Sequence, residues 1–456
     1  MVNIVPKLAN SDDNMKPQTP PEVLTDDLFR HRLENLIDTR HELVKLSELI
    51  DWDGFDRQWG EAFCEDGRPA IATRLIAGLH YLKHTYRLSD EQVVQRWAEN
   101  PYWQYFCGEI YFQHELPLNP SSLTRWRQRL GDQGMELLLS ATIDAAIESK
   151  AVKRRDLKRV TVDTTVQEKA IAFPTDSRLY NRTRERLVRL AKAHGVPLRQ
   201  SYVRVGPCLL VKNNRYGHAR QVRRQRRTTA KLKTVLGRVY RDLKRRLAEQ
   251  PESVQTAFAE PMALTKRLLD QQRHDKRKLY ALHAPEVECI AKGKAHKRYE
   301  FGVKASIATT NRSNLVVGAQ SLPGNPYDGH TLGTALRQVE RLTKQRPERC
   351  YVDLGYRGHD VTDVEVFKAR QKRGVTRSIR RELKRRNAIE PIIGHMKNDG
   401  LMNRNYLKGS QGDAINVILC GAGQNLRLIL RHLRIFCRKI WQTLIRNPLL
   451  NPPCTA

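Results

Sequence analysis

Between about residues 21 and 155, apolar side chains recur at three- and four-residue intervals, the spacing of one helix face. Leu75, Ile76, Leu79 and Leu82 form one such stripe. Ser89, with Gln92 three positions later, predicts a capping box before a helix that buries Val93, Val94 and Trp97, with Pro101 ending it. Pro120-Ser121-Ser122 opens a further helix through Leu123, Trp126 and Leu130. Gly131 stops it, and Met135, Leu138, Leu139, Ile143 and Ala146 form the next amphipathic run. Near residue 157 the period changes, and Val160-Thr161-Val162-Asp163-Thr164-Thr165-Val166 is a β-branched run that predicts a strand. A helical stretch is expected over about 177–283, then strands at 286–290, 299–309 and 315–322 and a helix over 331–343. Short strands at 350–353 and 375–379 and helices from about 381 to 445 complete the pattern. That order predicts an α/β fold, a mixed sheet with flanking helices behind an all-helical N-terminal domain at 21–155. Residues 1–20 read as a disordered lead-in, and 436–456 as a C-terminal tail.

Composition narrows the class. A chain of 456 residues suggests about three domains and has ample length for a core. With 40% hydrophobic residues it is a folded chain. It has no run of 18 apolar residues, which excludes a spanning helix, and no signal peptide pattern, so a cytoplasmic location is expected. The eight cysteines include no CxxC pair, so reduced, mostly buried thiols are expected.

Charge changes the picture more. The formal net charge is +32, and it is uneven: residues 1–150 carry 16 basic and 24 acidic side chains (−8), the other 306 carry 65 and 25 (+40). Such a balance points to a polyanion, most simply nucleic acid, held by the later part of the chain. Window 212–246 holds 14 Lys or Arg against one acid, Asp242. Arg223, Arg224, Arg226 and Arg227 lie within it, and a helix so charged is disfavoured without a polyanion beside it.

Against that background the acids at strand positions stand out. Asp163 sits inside a predicted inner strand, and Asp353 closes an apolar run before Leu354 and Gly355. A buried aspartate is costly unless a cation accompanies it. With Glu390 they could form a carboxylate cluster for magnesium, the cation suited to carboxylates and phosphate oxygens. Salt-bridge or turn roles are the plainer alternative, and periodicity does not separate Asp163 from Asp156 or Asp353 from Asp360.

Four motifs separate them. Val-Asp-Thr-Thr at 162–165, Gly-Asn-Pro-Tyr-Asp-Gly-His-Thr-Leu at 324–332, Val-Asp-Leu-Gly-Tyr-Arg-Gly at 352–358 and Arg385-Arg386-Asn387-Ala388-Ile389-Glu390-Pro391-Ile392-Ile393-Gly394-His395-Met396-Lys397 resemble the DDE insertion-sequence transposases, closest to the insertion-sequence-five family. The run from Ser89 through Gly108 resembles it too. The resemblance covers most of residues 65–430 and implies an RNase H-like catalytic domain, here 156–435, carrying the basic helical insertion at 177–283. It implies that Asp163, Asp353 and Glu390 are the catalytic, metal-binding triad, at spacings of 190 and 37 residues. The cofactor it implies is magnesium, with manganese as a substitute. The family signature of Tyr, two residues, Arg, three residues, Glu, six residues, Lys is met by Arg386, Glu390 and Lys397, while Leu383 replaces the Tyr. Arg386 and Lys397 are then the DNA-binding cations beside the site, as is expected of Arg223, Arg224, Arg226 and Arg227 in the insertion. The implied activity is cleavage of double-stranded DNA at the terminal inverted repeats of the element and transfer of the ends into target DNA, by a homodimer or higher oligomer, with no membrane involved. An inactive DNA-binding descendant and a general nuclease of the same fold are the rivals.

Other residues carry weaker signals. Asp328 and His330 are candidates for the site, or caps of the helix that follows. His80 and His84 are four apart on a helix without a third ligand nearby in sequence, which favours solvated surface positions. The aromatics Trp97, Tyr102, Trp103, Tyr105 and Phe106 are expected in the core. The helix bearing Arg125, Arg127 and Arg129 is a candidate recognition helix.

Overall fold

The computed structural model describes residues 14–17, 30–63, 68–272, 274–276, 278–291 and 298–445. The rest of the expected lead-in and the tail beyond 445 lie outside the described residues. These divide into two compact units, one up to Gln167 and from Lys304 on, the other Glu168–Val303.

In the first unit a short parallel pair, β1 (Asn14–Pro17) and β2 (Arg68–Ala70), accompanies helices α1 (Leu33–Leu36), α2 (Glu42–Leu49), α3 (Trp52–Gly60), α4 (Thr73–Tyr86), α5 (Asp90–Glu99), α6 (Pro101–Phe106) and α7 (Ser121–Glu148). The expected capping box forms at Ser89 and Gln92. Pro101, expected to end that helix, instead opens α6 in its first turn, where a missing N–H costs nothing, and Asn100 caps it. Gly131 does not end α7 but kinks it, at φ 67°, a backbone conformation that side chains other than glycine's resist. Trp97, Trp103 and Phe106 are in the core, as expected.

The strands are β3 (Arg159–Glu168), β4 (Glu288–Ala291), β5 (Tyr299–Thr310), β6 (Val316–Leu322), β7 (Arg349–Val352) and β8 (Glu365–Lys368). In the first unit they form a mixed sheet ordered β6-β5-β3-β7-β8, with β3, β7 and β8 parallel and β5 and β6 antiparallel. Helices α12 (Asp328–Thr343), α13 (Arg377–Arg385), α14 (Ile389–Asn398) and α15 (Gly409–Ile445) complete the unit. This is the mixed α/β class expected from the element order. The outer edge of β6 is covered by side-chain amides. Asn425 accepts from Val316 N–H (2.8 Å) and donates to its carbonyl (2.8 Å), and Gln338 does the same at Ala319 (2.9 and 3.1 Å). An exposed edge would otherwise invite pairing with another chain. Leu138, Leu139 and Ile143 of α7, Val316 and Ala319 of β6 and Ile418 of α15 belong to one core, so N-terminal helices and sheet are packed as a single body.

Further expectations are corrected. Residues 375–379 are not a strand: Thr376 caps α13, its Oγ1 accepting from Ile379 N–H (3.3 Å), and the last strand is β8. Val375 precedes the cap and Ile379 lies in the first turn of the helix, and both pack with Tyr351 and Phe367, so a helix start with an apolar residue on each side of its cap mimics a strand. His80 and His84 are not on the surface; both are fully buried. Between α4, α5 and α7, Arg127 holds Asp90 with two bonds (3.0 and 2.6 Å) and Lys83 adds a third (2.7 Å). His80 Nδ1 bonds the Ile76 carbonyl (2.8 Å), and its Nε2 faces Arg127 (3.4 Å). Arg127 is therefore a core residue and no base reader, whereas Arg125 and Arg129 are exposed, Arg129 lying over the Phe63 ring (4.8 Å).

The second unit contains α8 (Asp176–Ala193), α9 (Val205–His218), α10 (Val222–Leu247), α11 (Glu252–Asp270) and β4, which pairs antiparallel with the start of β5. Its core includes Leu179, Leu187, Leu232, Leu236, Val239, Leu243 and Phe258.

Candidate functional site

In the first unit β3 and β7 lie side by side with Thr161 opposite Tyr351. Two positions further along each chain stand Asp163, within β3, and Asp353, the extended residue just past β7. Val160, Val162, Cys350 and Val352 enter the main core. Alternation therefore puts Asp163 and Asp353 on the other face, with Thr161 and Tyr351. The two acids stand level, Asp163 midway along β3 and Asp353 just past the carboxyl end of β7, the end of a parallel strand where open α/β sheets collect ligands.

Asp328, in the first turn of α12, belongs to the same place. Its Oδ1 accepts from Thr164 Oγ1 (3.0 Å) and from Lys304 Nζ (3.0 Å), and Lys304 also donates to the Pro326 carbonyl (2.7 Å). Its Oδ2 would be 3.1 Å from a Cβ at Gly355, so glycine lets the turn after β7 close on this carboxylate. Neither Asp328 nor His330 caps α12: the Asp328 side chain is taken by Lys304 and Thr164, and the His330 ring stands edge-on to Tyr327 (5.5 Å).

Tyr356 follows Gly355 and is 1% exposed; its N–H donates to the Asp353 carbonyl (3.3 Å) and its hydroxyl has no hydrogen-bond partner. Burial, then the negative charges of Asp163, Asp328 and Asp353, push this phenol well above its ordinary value. Neither Lys304 nor Tyr356 is among the site residues expected from sequence. Lys304 has a signal, a lone charge inside the apolar strand Val303-Lys304-Ala305-Ser306-Ile307.

Glu390 comes from a third element. It lies in the first turn of α14 with its side chain 67% exposed, and Arg386 Nη2 is 3.9 Å from its Oε1. Among the described residues no three His, Cys, Asp or Glu side chains are grouped closely enough to hold an ion. Carboxylates repel without a cation between them, and Glu390 has Arg386 instead. Arg386 is mostly buried and also donates to Asn387 Oδ1 (3.2 Å). Lys397, seven residues beyond Glu390, is half-buried and returns to the same side of α14. Pro391 sits in the first turn of this helix, where its missing N–H is tolerated. Leu383, at the Tyr position of the signature, packs with Tyr351, Phe367 and Ile379, so an apolar side chain fills that place.

In the second unit, α10 buries Leu232, Leu236, Val239 and Leu243 and exposes Arg223, Arg224, Arg226 and Arg227. The lone acid Asp242 accepts from Arg199 N–H (2.7 Å) and pairs with Arg246 (3.2 Å). The four arginines thus form part of a solvent-facing positive surface.

Residues 31–129 match the family described as Transposase domain (DUF772), and residues 274–423 match the Transposase DDE domain. The chain belongs to the DDE-type insertion-sequence transposases. The second match contains Asp328, Asp353, Arg386, Glu390 and Lys397, whereas Asp163 and α10 lie between the matched stretches. A curated relative, "Uncharacterized protein ORF8 in nfe locus" of Rhizobium meliloti, is 53% identical over 207 residues, 45% of this chain and 100% of the relative. No solved structure matches the transposase. Transposases act on DNA, and the DDE family uses divalent metal ions. No helix among the described residues is long and apolar enough to cross a membrane.

Replacing Arg223, Arg224, Arg226 and Arg227 of the transposase with Ala is expected to weaken binding to all duplexes alike and to flatten the salt dependence of affinity. The slope should fall by up to about 0.9 for each phosphate that the protein no longer neutralises. Titration of two unrelated duplexes at several salt concentrations measures this; an unchanged slope with altered sequence preference would refute it.

Proposed function

We propose that this transposase, of the insertion-sequence-five group on its motifs, cuts duplex DNA at the ends of its own element and joins those ends to target DNA. It does so as a homodimer or higher oligomer in the cytoplasm, with Asp163, Asp353 and Glu390 holding magnesium or manganese. The single observation that carries the reading is the level placement of Asp163 and Asp353 on adjacent parallel strands. The donors suit such an ion: they are hard carboxylate oxygens, and a buried hydroxyl without a partner lies beside them. A divalent cation bound there offsets the charge that builds on the phosphate during displacement.

The chain's own part is positioning. Water attacks the scissile phosphodiester, the phosphorus–O3′ bond breaks, and the element is left with a 3′-hydroxyl. That hydroxyl attacks a target phosphodiester in the same way, so no external energy source is needed. Asp163 is fixed by the rigid strand β3 and by Thr164 N–H on its Oδ1 (2.8 Å). Arg386 and Lys397 face the phosphates, the first as a bidentate fork and the second as a point charge. Arg386→Ala and Lys397→Ala should each keep their fold but lower the cleavage rate by about 10²–10³, and Arg386→Lys should stay impaired. Melting curves run beside the cleavage assay decide the matter: activity that falls only with the folded fraction makes both residues structural.

One observation favours a second reading, an inactive DNA-binding descendant: Glu390 is exposed and not grouped with the aspartates. Incubating the protein and magnesium with a duplex carrying the element's ends separates the possibilities. Cutting at the ends supports the proposal, binding without cutting supports the inactive reading, and cutting of any duplex indicates a general nuclease.

A further inference from the structure

The Tyr356 hydroxyl supports the fit of a cation above but has no role of its own there, and its position is unusual. A phenol hydroxyl buried without a partner forfeits its bond to water and gains nothing in exchange. Here the ring is packed in the main core, the preceding glycine is closed against Asp328, and the Tyr356 N–H is bonded to the carbonyl of Asp353. Asp328 is already engaged by Lys304 and Thr164. The carboxylates of Asp163 and Asp353 are the other acids close enough to act on the phenol electrostatically. An oxygen of this kind, held in a packed core within the field of these carboxylates, suits the outer layer of a cation site, where a donor fixes the orientation of a ligating carboxylate.

We propose that Tyr356 is a positioning residue of the strand-cleavage site, its hydroxyl donating to the Asp163–Asp353 carboxylates when they hold a divalent cation. This inference rests on the proposed function and adds to it a residue outside the triad and its two cations. The bond ties the turn after β7 to the ion, so the turn and the ligand set are ordered together. Lys304 fits the same scheme: by neutralising Asp328 it leaves the local charge to Asp163 and Asp353.

The test uses the full-length protein, Mn²⁺ as the probe and Tyr356→Phe, which removes one oxygen and keeps the ring. Without metal, the variant should melt at or above the wild-type temperature, because it buries one fewer unpaired hydroxyl. Its Mn²⁺ affinity, read from the free-ion electron paramagnetic resonance signal, should fall about 10-fold or more. Cleavage should fall with it at low metal and recover in part at saturating metal. Tyr351→Phe is the control, since Tyr351 is also buried but bonds Glu382; its Mn²⁺ affinity should be unchanged. A Tyr356→Phe protein with wild-type Mn²⁺ affinity overturns the inference, as does one that melts far earlier and loses binding only with the folded fraction. Asp163→Asn measured alongside distinguishes the levels. If it too binds Mn²⁺ normally, the cation site is elsewhere and the proposed function fails with the inference. If it alone loses Mn²⁺, only the inference fails.

Discussion

Asp163→Asn and Asp353→Asn are each expected to lower magnesium-dependent cleavage by roughly 10³-fold or more while leaving duplex affinity within about twofold. The magnitude follows from what a bound cation contributes to a phosphoryl displacement, several kcal/mol of charge stabilisation, with each 1.36 kcal/mol a factor of ten. Asparagine keeps the shape and removes the charge. Asp163 is held by the Thr164 N–H and Asp353 starts a short turn, so neither change disturbs the core packing. Glu390→Gln should act in the same direction, and its test is the sharper one because Glu390 is exposed beside Arg386. Normal cutting by any one variant removes that residue from the triad. Loss of duplex binding along with cutting would mean that the acids shape the DNA surface rather than the chemistry.

The second large effect is on stability. Arg127→Met should destabilise the first unit by about 3–5 kcal/mol, since it leaves Asp90 in a mostly buried position with Lys83 alone. The same cluster makes the unit acid-sensitive. Burial alone would raise the Asp90 carboxyl, but the bonds and charges of Arg127 and Lys83 outweigh it and hold the group below the usual carboxylate range. Burial, reinforced by Arg127, holds His80 down to about 3, and burial lowers His84 as well. A histidine neutral in the fold and protonated when unfolded favours the unfolded chain increasingly as pH falls from about 6.5 towards 3. For His80 that amounts to something on the order of 4 kcal/mol over the window. The Asp90 contribution is lost on the same side, at still lower pH. The facing groups on α15 do not offset this: burial pushes the Cys420 thiol up to about 12, and Arg427 remains a cation. Urea midpoints at pH 7.5 and 5.0 should therefore differ clearly, and His80→Gln should narrow the gap. Equal midpoints would show that the buried histidines are not neutral in the fold.

These two regions are unequally legible in the amino-acid sequence. Periodicity locates β3, β5, β6 and β7 to within a few residues, because β-branched runs between charged turns have one good solution. The stretch at 375–379 misleads because two apolar residues four apart, in so short a window, fit either period. His80 and His84 mislead for another reason. The groups their rings meet, Arg127 for His80 and Cys420 for His84, lie more than forty residues away, and nothing local in the helix announces them. At the site, the motifs name Asp163 and Asp353, but the register that sets them level is a pairing between segments 190 residues apart. Lys304 is visible as a charge in an apolar strand, but the acid that it holds is 24 residues further on and only the folded sheet brings the two together. Tyr356 is visible only as one letter of a motif, because an unpartnered hydroxyl exists only once the chain has closed around it.

The central claim is that this transposase joins DNA ends through the carboxylates of Asp163 in β3 and Asp353 just past β7. The most direct test gives the protein a duplex already cut at the element's end, with a free 3′-hydroxyl, together with a supercoiled plasmid and magnesium. This bypasses hydrolysis and leaves only the joining step. The account predicts that the end is joined to the plasmid by the wild-type protein, and that joining is abolished by chelation of the metal and by Asp353→Asn. Joining that persists in Asp353→Asn, or binding of both DNAs by the wild-type protein with no joined product, would contradict it.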